Sequence, residues 1–383
     1  MRLLISLYKY FPHGGLQKDT LRFAREAAQR GHQVTLLTTA WQGERPAAPN
    51  LDLKFSPPAK AWSNTARMDE FGRHVARFRQ EQRFDVTLAM NRIPGADFYF
   101  AADSCFSHYL RQRHWPVTLA LSPRYRAILR QERAIFQPQS STRVFTISDA
   151  QLREFQEEYG TQPERFVPLP PGMDEACLPP PRDQAAQIRA KTRQALGVNP
   201  DDLLLILVGT SFLRKGADRA LTAIAALPGD LRKRTHFAMV GNNPPEKLYH
   251  FAGNLDISSN FVHPIPPQEH VGEFLLAADL MVHPAREEGA GSVLVEGLAS
   301  GLPVVCTAAC GFAPYVKAAG CPVIAEPFSQ ANLNAVLFEA LMRLPSLREC
   351  TSAYAATQDF CGRSRVAIDA LEQFAASHLP STN

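Results

Sequence analysis

The feature that most constrains this chain is an alternation of short, almost wholly apolar runs with longer segments of helical periodicity. The apolar runs fall at 3–7, 34–38, 51–55, 86–90 and 144–147, then again at 203–208, 235–240, 280–283, 304–306 and 323–324. Runs this short and this apolar read as strands covered on both faces, and helices between them imply parallel βαβ units. Between the first two runs, segment 16–30 carries Leu21, Ala24, Ala27 and Ala28 on one stripe and meets Gly31, a helix stop. With 383 residues the chain exceeds one core, so two domains of roughly 150–200 residues each are expected. The predicted fold class is α/β: two Rossmann-like, doubly wound parallel sheets facing across a cleft.

Prolines mark the junction. Pro168-Leu169-Pro170-Pro171-Gly172 and Pro179-Pro180-Pro181 lack too many backbone donors to lie in a central strand, and they read as a linker. The expected boundaries are 1–168, 169–360 and a helical segment 361–383 that can return to the first domain. The seven cysteines are scattered, with no Cys-x-x-Cys pair, so neither a zinc site nor a disulfide framework is indicated, and a reducing cytoplasm is expected. A formal charge of +4 does not point to nucleic acid. The first apolar run is too short for a signal peptide, and no uncharged stretch approaches the roughly 20 residues that span a bilayer. Any membrane contact is expected to be peripheral.

Three strand-to-helix turns carry candidate chemistry. The first is Glu287-Glu288-Gly289-Ala290-Gly291-Ser292-Val293-Leu294-Val295-Glu296. Gly289 and Gly291 admit close backbone approach, and a helix starting near Ser292 offers free N–H groups to an anion. Glu288 and Glu296 can accept hydrogen bonds from two hydroxyl clusters; the plainer alternative is that Glu288 caps the helix and Glu296 is solvated. The second is Gly209-Thr210-Ser211-Phe212-Leu213-Arg214-Lys215-Gly216, where a guanidinium fork beside a point charge suits two phosphates. An ordinary surface Arg-Lys pair has the same appearance. The third, Tyr8 to Asp19, places Gly14-Gly15 before a helix whose first turn bears Asp19, either facing a ligand or complementing the helix dipole.

Between residues 111 and 133, Arg111, Arg113, Arg124, Arg126, Arg130 and Arg133 alternate with Trp115, Val117, Leu119, Leu121, Tyr125, Ile128 and Leu129, with Glu132 as the one acid. Such a segment suits an anionic membrane surface or a phosphorylated acceptor, and also a solvated basic helix. No Gly-x-Gly-x-x-Gly turn, no phosphate loop of the NTPase type and no Asp-x-Asp metal clamp occurs.

Together these windows resemble glycosyltransferase family 4, the retaining transferases of the GT-B fold. The Glu288 and Glu296 pair, Arg214-Lys215-Gly216 and Gly14-Gly15 carry that likeness. Tyr8-Lys9-Tyr10-Phe11-Pro12, Gly15-Leu16-Gln17, Tyr99-Phe100-Ala101-Ala102-Asp103, Pro170-Pro171-Gly172 and Ala325-Glu326-Pro327-Phe328-Ser329-Gln330 resemble the lipopolysaccharide core glucosyltransferases within it. Leu213 stands where that subgroup usually has glycine, and Met173-Asp174-Glu175 carries no basic residue.

The resemblance implies metal-independent transfer of glucose from UDP-glucose to a heptose of the lipopolysaccharide inner core, at the cytoplasmic face of the bacterial inner membrane. It implies an acceptor-binding first domain and a nucleotide-sugar-binding second one. Gly15, Arg214, Lys215, Glu288, Gly289, Ala290, Gly291, Ser292 and Glu296 would bind donor. Asp19, Asp103 and Glu288 would stand at the reacting centre, and Arg111, Arg113, Arg124, Arg126 and Arg130 would meet membrane or acceptor. No cofactor, metal or nucleic-acid partner is implied. A UDP-sugar epimerase or hydrolase, a transferase of another UDP-hexose and a non-catalytic membrane-surface protein are the alternatives.

Overall fold

The computed structural model describes residues 1–12, 14–112, 122–242, 245–268 and 271–378. Two compact units share the chain, one of Met1–Gly172 with Gly362–Asn383 and one of Met173–Cys361.

In the first unit the described strands are β1 (Arg2–Tyr10), β2 (Gln33–Trp41), β3 (Leu51–Phe55), β4 (Val86–Ala89), β5 (Phe98–Phe100), β6 (Arg143–Thr146) and β7 (Phe166–Pro168). They form one parallel sheet in the order β3-β2-β1-β4-β5-β6-β7. Helices cover both faces, which is why β4 is buried at every position and reads as an unbroken apolar run. On one face Leu4, Leu37, Ala89, Tyr99 and Val144 pack with Phe71 and Val75 of the Asn64–Glu81 helix and Phe155 of the Asp149–Tyr159 helix. On the other, Phe374 of the Arg363–His378 helix meets Phe98 edge-on at 5.3 Å, and Phe23 of the Gly15–Gln29 helix meets Phe100 at 5.3 Å. Gly31, at φ +84, ends that first helix in the left-handed conformation.

The second unit contains β8 (Leu203–Val208), β9 (Thr235–Val240), β10 (Val262–Ile265), β11 (Leu280–His283), β12 (Val304–Thr307) and β13 (Val323–Ile324), all parallel, in the order β10-β9-β8-β11-β12-β13. Alternate residues separate onto two cores, with Leu204, Ile206, Ala238, Val240 and Met281 on one face. Leu205, Leu207, Phe237, Met239 and Val282 pack on the other. Two doubly wound parallel sheets are the fold class that the alternation predicts.

Three strands escaped the sequence pattern. β5 is three residues long. β7 ends on Pro168 and β10 contains Pro264, and both are edge strands, where a missing N–H costs no ladder bond. In each sheet the order reverses beside the first strand, at β1/β4 and at β8/β11. Ligands of such sheets bind beyond the carboxyl ends at these switch points.

Candidate active site

At the switch point of the second unit, the turn after β8 and the turn after β11 are laced together. Arg286 N–H donates to the Arg214 carbonyl at 2.9 Å, and the Arg214 guanidinium donates to the Glu287 carbonyl at 3.2 Å. Arg286 also forks onto Asp218 at 2.8 and 2.7 Å, tying the second turn to the Ala217–Ala225 helix. Gly216, at φ +82, makes this close approach feasible: a Cβ there would lie 2.1 Å from the Pro284 carbonyl oxygen.

The lacing brings the Lys215 ammonium into direct contact with Glu288 Oε2. The same oxygen lies 3.3 Å from Nε2 of His283, the last residue of β11 and wholly buried. Burial and the Lys215 and Arg214 charges push the His283 imidazole down to about 3, so it is neutral at physiological pH. Burial and Arg214 likewise push Lys215 down, to about 8, while the Glu288 carboxylate it touches favours the protonated ammonium. Arg214 is exposed. The arrangement is one exposed cation, one buried cation and one carboxylate at the mouth of a parallel sheet.

The Glu288 turn is braced from the side by a parallel bridge to Cys310, with Gly311 N–H on the Glu288 carbonyl at 3.1 Å and Phe312 N–H on the Ala290 carbonyl at 2.8 Å. Gly291 adopts φ +84 and caps the Ser292–Ala299 helix, whose first amides lack intrahelical partners. Ser292 is exposed at that start, and Glu296 is half-buried one turn further on. Phe328, from the Ala325–Gln330 string, lies under Arg219, 3.6 Å from guanidinium to ring centroid. Arg219 in turn donates to the Pro284 carbonyl at 3.2 Å.

In the first unit, Gly14 precedes the Gly15–Gln29 helix, and a Cβ on Gly14 would lie 1.9 Å from Gln17 Oε1, whereas one on Gly15 would meet nothing. Asp19 is buried, its oxygens 2.8 Å from Arg363 Nη1 and 3.2 Å from Arg22 Nη1. Asp103 is 74% exposed at its side chain and pairs with Arg92 at 3.2 Å; Arg92 also lies 3.5 Å from the buried Glu132. Tyr8 N–H, near the end of β1, donates to Asn91 Oδ1 at 2.7 Å, linking β1 to the turn after β4 at this switch point.

Of the basic segment, Arg113 lies outside the described residues, with Trp115, Val117, Leu119 and Leu121. Arg111 pairs with Glu158 at 2.6 Å and Arg130 pairs with Asp69. Arg124 and Arg126 are exposed on the Pro123–Phe136 helix. Among the described residues no helix is long and apolar enough to cross a membrane.

Sequence reasoning missed His283. Its one signal was position, as the polar end of an otherwise apolar strand five residues before Glu288.

Comparison with known proteins converges on one family. Residues 13–176 match the family described as Glycosyltransferase Family 4, and residues 188–358 match Glycosyl transferases group 1. The chain is 41% identical over 376 residues to the lipopolysaccharide glucosyltransferase WaaG of Escherichia coli (strain K12), covering 96% of this chain and 98% of that protein. It is 26% identical to a D-inositol 3-phosphate glycosyltransferase of Xylanimonas cellulosilytica, covering 79% and 77%. The crystal structure of WaaG, a glycosyltransferase involved in lipopolysaccharide biosynthesis, superposes with a TM-score of 0.83 at 39% identity, covering 96% and 99%. Anabaena Alr3699/HepE in complex with UDP and glucose shares the fold, with a TM-score of 0.71 at 17% identity, covering 97% and 100%.

Proposed function

Because this chain is a family 4 glycosyltransferase of the GT-B fold, we propose that it moves glucose from UDP-glucose to a heptose of the lipopolysaccharide inner core, with retention and without a metal. The contact of Lys215 with Glu288 at the β8/β11 switch point carries the reading. A cation suited to a diphosphate there adjoins a carboxylate suited to sugar hydroxyls, at the start of a helix with free amides, which supports the reading. The 41% identical relative is a lipopolysaccharide glucosyltransferase, which supports glucose as donor sugar and lipopolysaccharide as acceptor.

In this reading the bond from the anomeric carbon to the diphosphate oxygen breaks, and the electron pair stays with the departing UDP. Lys215, Arg214 and the amides from Gly289 to Ser292 are fixed before that charge develops, so they stabilise it without reorganising. These two cations do the work a metal would otherwise do. Glu288 accepts hydrogen bonds from the glucosyl hydroxyls and Glu296 from the ribose. The acceptor hydroxyl attacks on the face that UDP leaves, and its proton passes to the departing phosphate oxygen. Asp103, exposed beside Arg92, binds acceptor. Asp19 is already held by Arg22 and Arg363, so no bond-making step is assigned to it. The protein works peripherally at the cytoplasmic face of the inner membrane, with the Pro123–Phe136 helix toward lipid.

The test is transfer of labelled glucose from UDP-glucose to core lipopolysaccharide ending in heptose, by wild type, Glu288→Ala and Lys215→Ala. Acceptor-dependent transfer lost in both variants, with folding intact, is the expected result. Equal UDP-glucose consumption with and without acceptor, or full turnover in Glu288→Ala, overturns it.

A further inference from the structure

We propose that His283 is a positioning residue: its Nε2–H holds one oxygen of Glu288 and thereby turns the other toward the donor sugar. The inference rests on the reading of Glu288 as a donor ligand. His283 Nε2 and Lys215 Nζ both address Oε2 of Glu288. Both of these contacts fall on Oε2, which leaves Oε1 with its lone pairs for a ligand. A carboxylate on a freely rotating chain would share its time among rotamers; one oxygen pinned by two donors fixes the direction of the other.

The tautomer follows from the same geometry. His283 Nδ1 is buried and has no hydrogen-bond partner among the described residues. If Nδ1 carried the proton, a buried N–H would have no acceptor while the Nε2 lone pair faced a carboxylate oxygen. With the proton on Nε2 the donor is used, and only an acceptor lone pair goes unfilled, the more tolerable of the two deficits. Held neutral by burial and by the Lys215 and Arg214 charges, the ring supplies direction without adding charge. Its neighbours along the strand, Met281 and Val282, are apolar and fully buried. An aliphatic residue would fill the same space and leave no orphaned nitrogen, so packing alone does not account for histidine here.

Three measurements on the full-length protein test this. Nitrogen NMR of 15N-histidine protein should give the Nε2–H tautomer for His283, unchanged from pH 5.5 to 8.5; a resonance titrating near 6.5, or the Nδ1–H form, overturns the proposal. His283→Leu should lower kcat/KM for UDP-glucose about 10-fold or more while UDP affinity and Tm hold. His283→Gln, whose amide nitrogen takes the place of Nε2, should restore most of that loss. Wild-type kcat/KM in His283→Leu overturns the proposal, as does equal loss in both variants alongside a lowered Tm. Glu288→Ala separates the two ideas. If it keeps turnover, the donor reading itself falls; if it loses turnover while His283→Leu does not, only the role of His283 falls.

Discussion

Asp19, on the first helix, and Arg363, the first residue of the last, form a buried ion pair of 2.8 Å although 344 residues separate them. Arg363 also donates from Nε to the Pro170 carbonyl at 3.1 Å, and Arg22 joins Asp19 to the Gly172 carbonyl at 2.6 Å. Gly172 is the last residue before the chain enters the second unit, and Gly362 the first after it returns. A Cβ on Gly172 would lie 2.7 Å from Arg363 Cδ, so the glycine makes room for the guanidinium. One carboxylate therefore ties the first helix to both ends of the first unit's chain.

Removing that carboxylate charge should destabilise the fold more than it impairs chemistry. Asp19→Asn leaves Arg363 buried and uncompensated, a loss of about 3–5 kcal/mol. Urea denaturation followed by circular dichroism measures it, and a midpoint equal to wild type would remove the anchoring role from Asp19.

Donor affinity should depend on pH through Lys215. The ammonium, pushed down to about 8, is charged below that pH and loses its proton above it. A neutral amine no longer attracts a diphosphate, so the Kd for UDP should rise as pH increases through 8 and level off by 9.5. Calorimetric titrations from pH 6.5 to 9.5 test this, and Lys215→Met should flatten the curve. An inflection that persists in Lys215→Met refutes the assignment.

Acid should weaken the fold before most carboxylates titrate. Burial holds His283 at about 3 and His263 at about 4, and lowers His236, against about 6.5 in the unfolded chain. As pH falls below 6.5 the unfolded chain takes up these protons first, so stability present above that pH declines toward pH 4. Tm measured from pH 7.5 to 4.5 should fall steadily, and less steeply in His283→Leu. A flat profile across this window contradicts the buried, neutral imidazoles.

If the Pro123–Phe136 helix meets lipid, its exposed cations set the affinity. At about 1 kcal/mol per cation near an anionic surface, Arg124→Gln, Arg126→Gln and Arg130→Gln together should weaken vesicle binding on the order of 100-fold. Arg130 already pairs with Asp69, which works against its share. Flotation with and without anionic lipid gives the answer, and unchanged binding releases the helix from this role.

Strand and helix content was readable because buried parallel strands are apolar throughout while helices keep a stripe. The pattern failed at β7 and β10, where Pro168 and Pro264 look prohibitive until the strand is known to be an edge. The glycine turns were equally legible, since Gly216 and Gly291 adopt positive φ that other residues resist. So was the presence of Arg214-Lys215 and Glu288 on strand-to-helix turns.

Which groups meet was decided elsewhere. Lys215 and Glu288 are 73 residues apart and touch only because β8 and β11 are neighbours across the switch point. His283 meets Glu288 within a single strand-to-turn segment, five residues apart, whereas Asp19 was drawn to Arg363 by the return of the last helix. The sequence by itself determined the rhythm of elements and the chemistry available at each turn, because those are local properties of backbone and side chain. Tertiary structure alone decided the partners, because strand order brings together side chains that no local pattern relates.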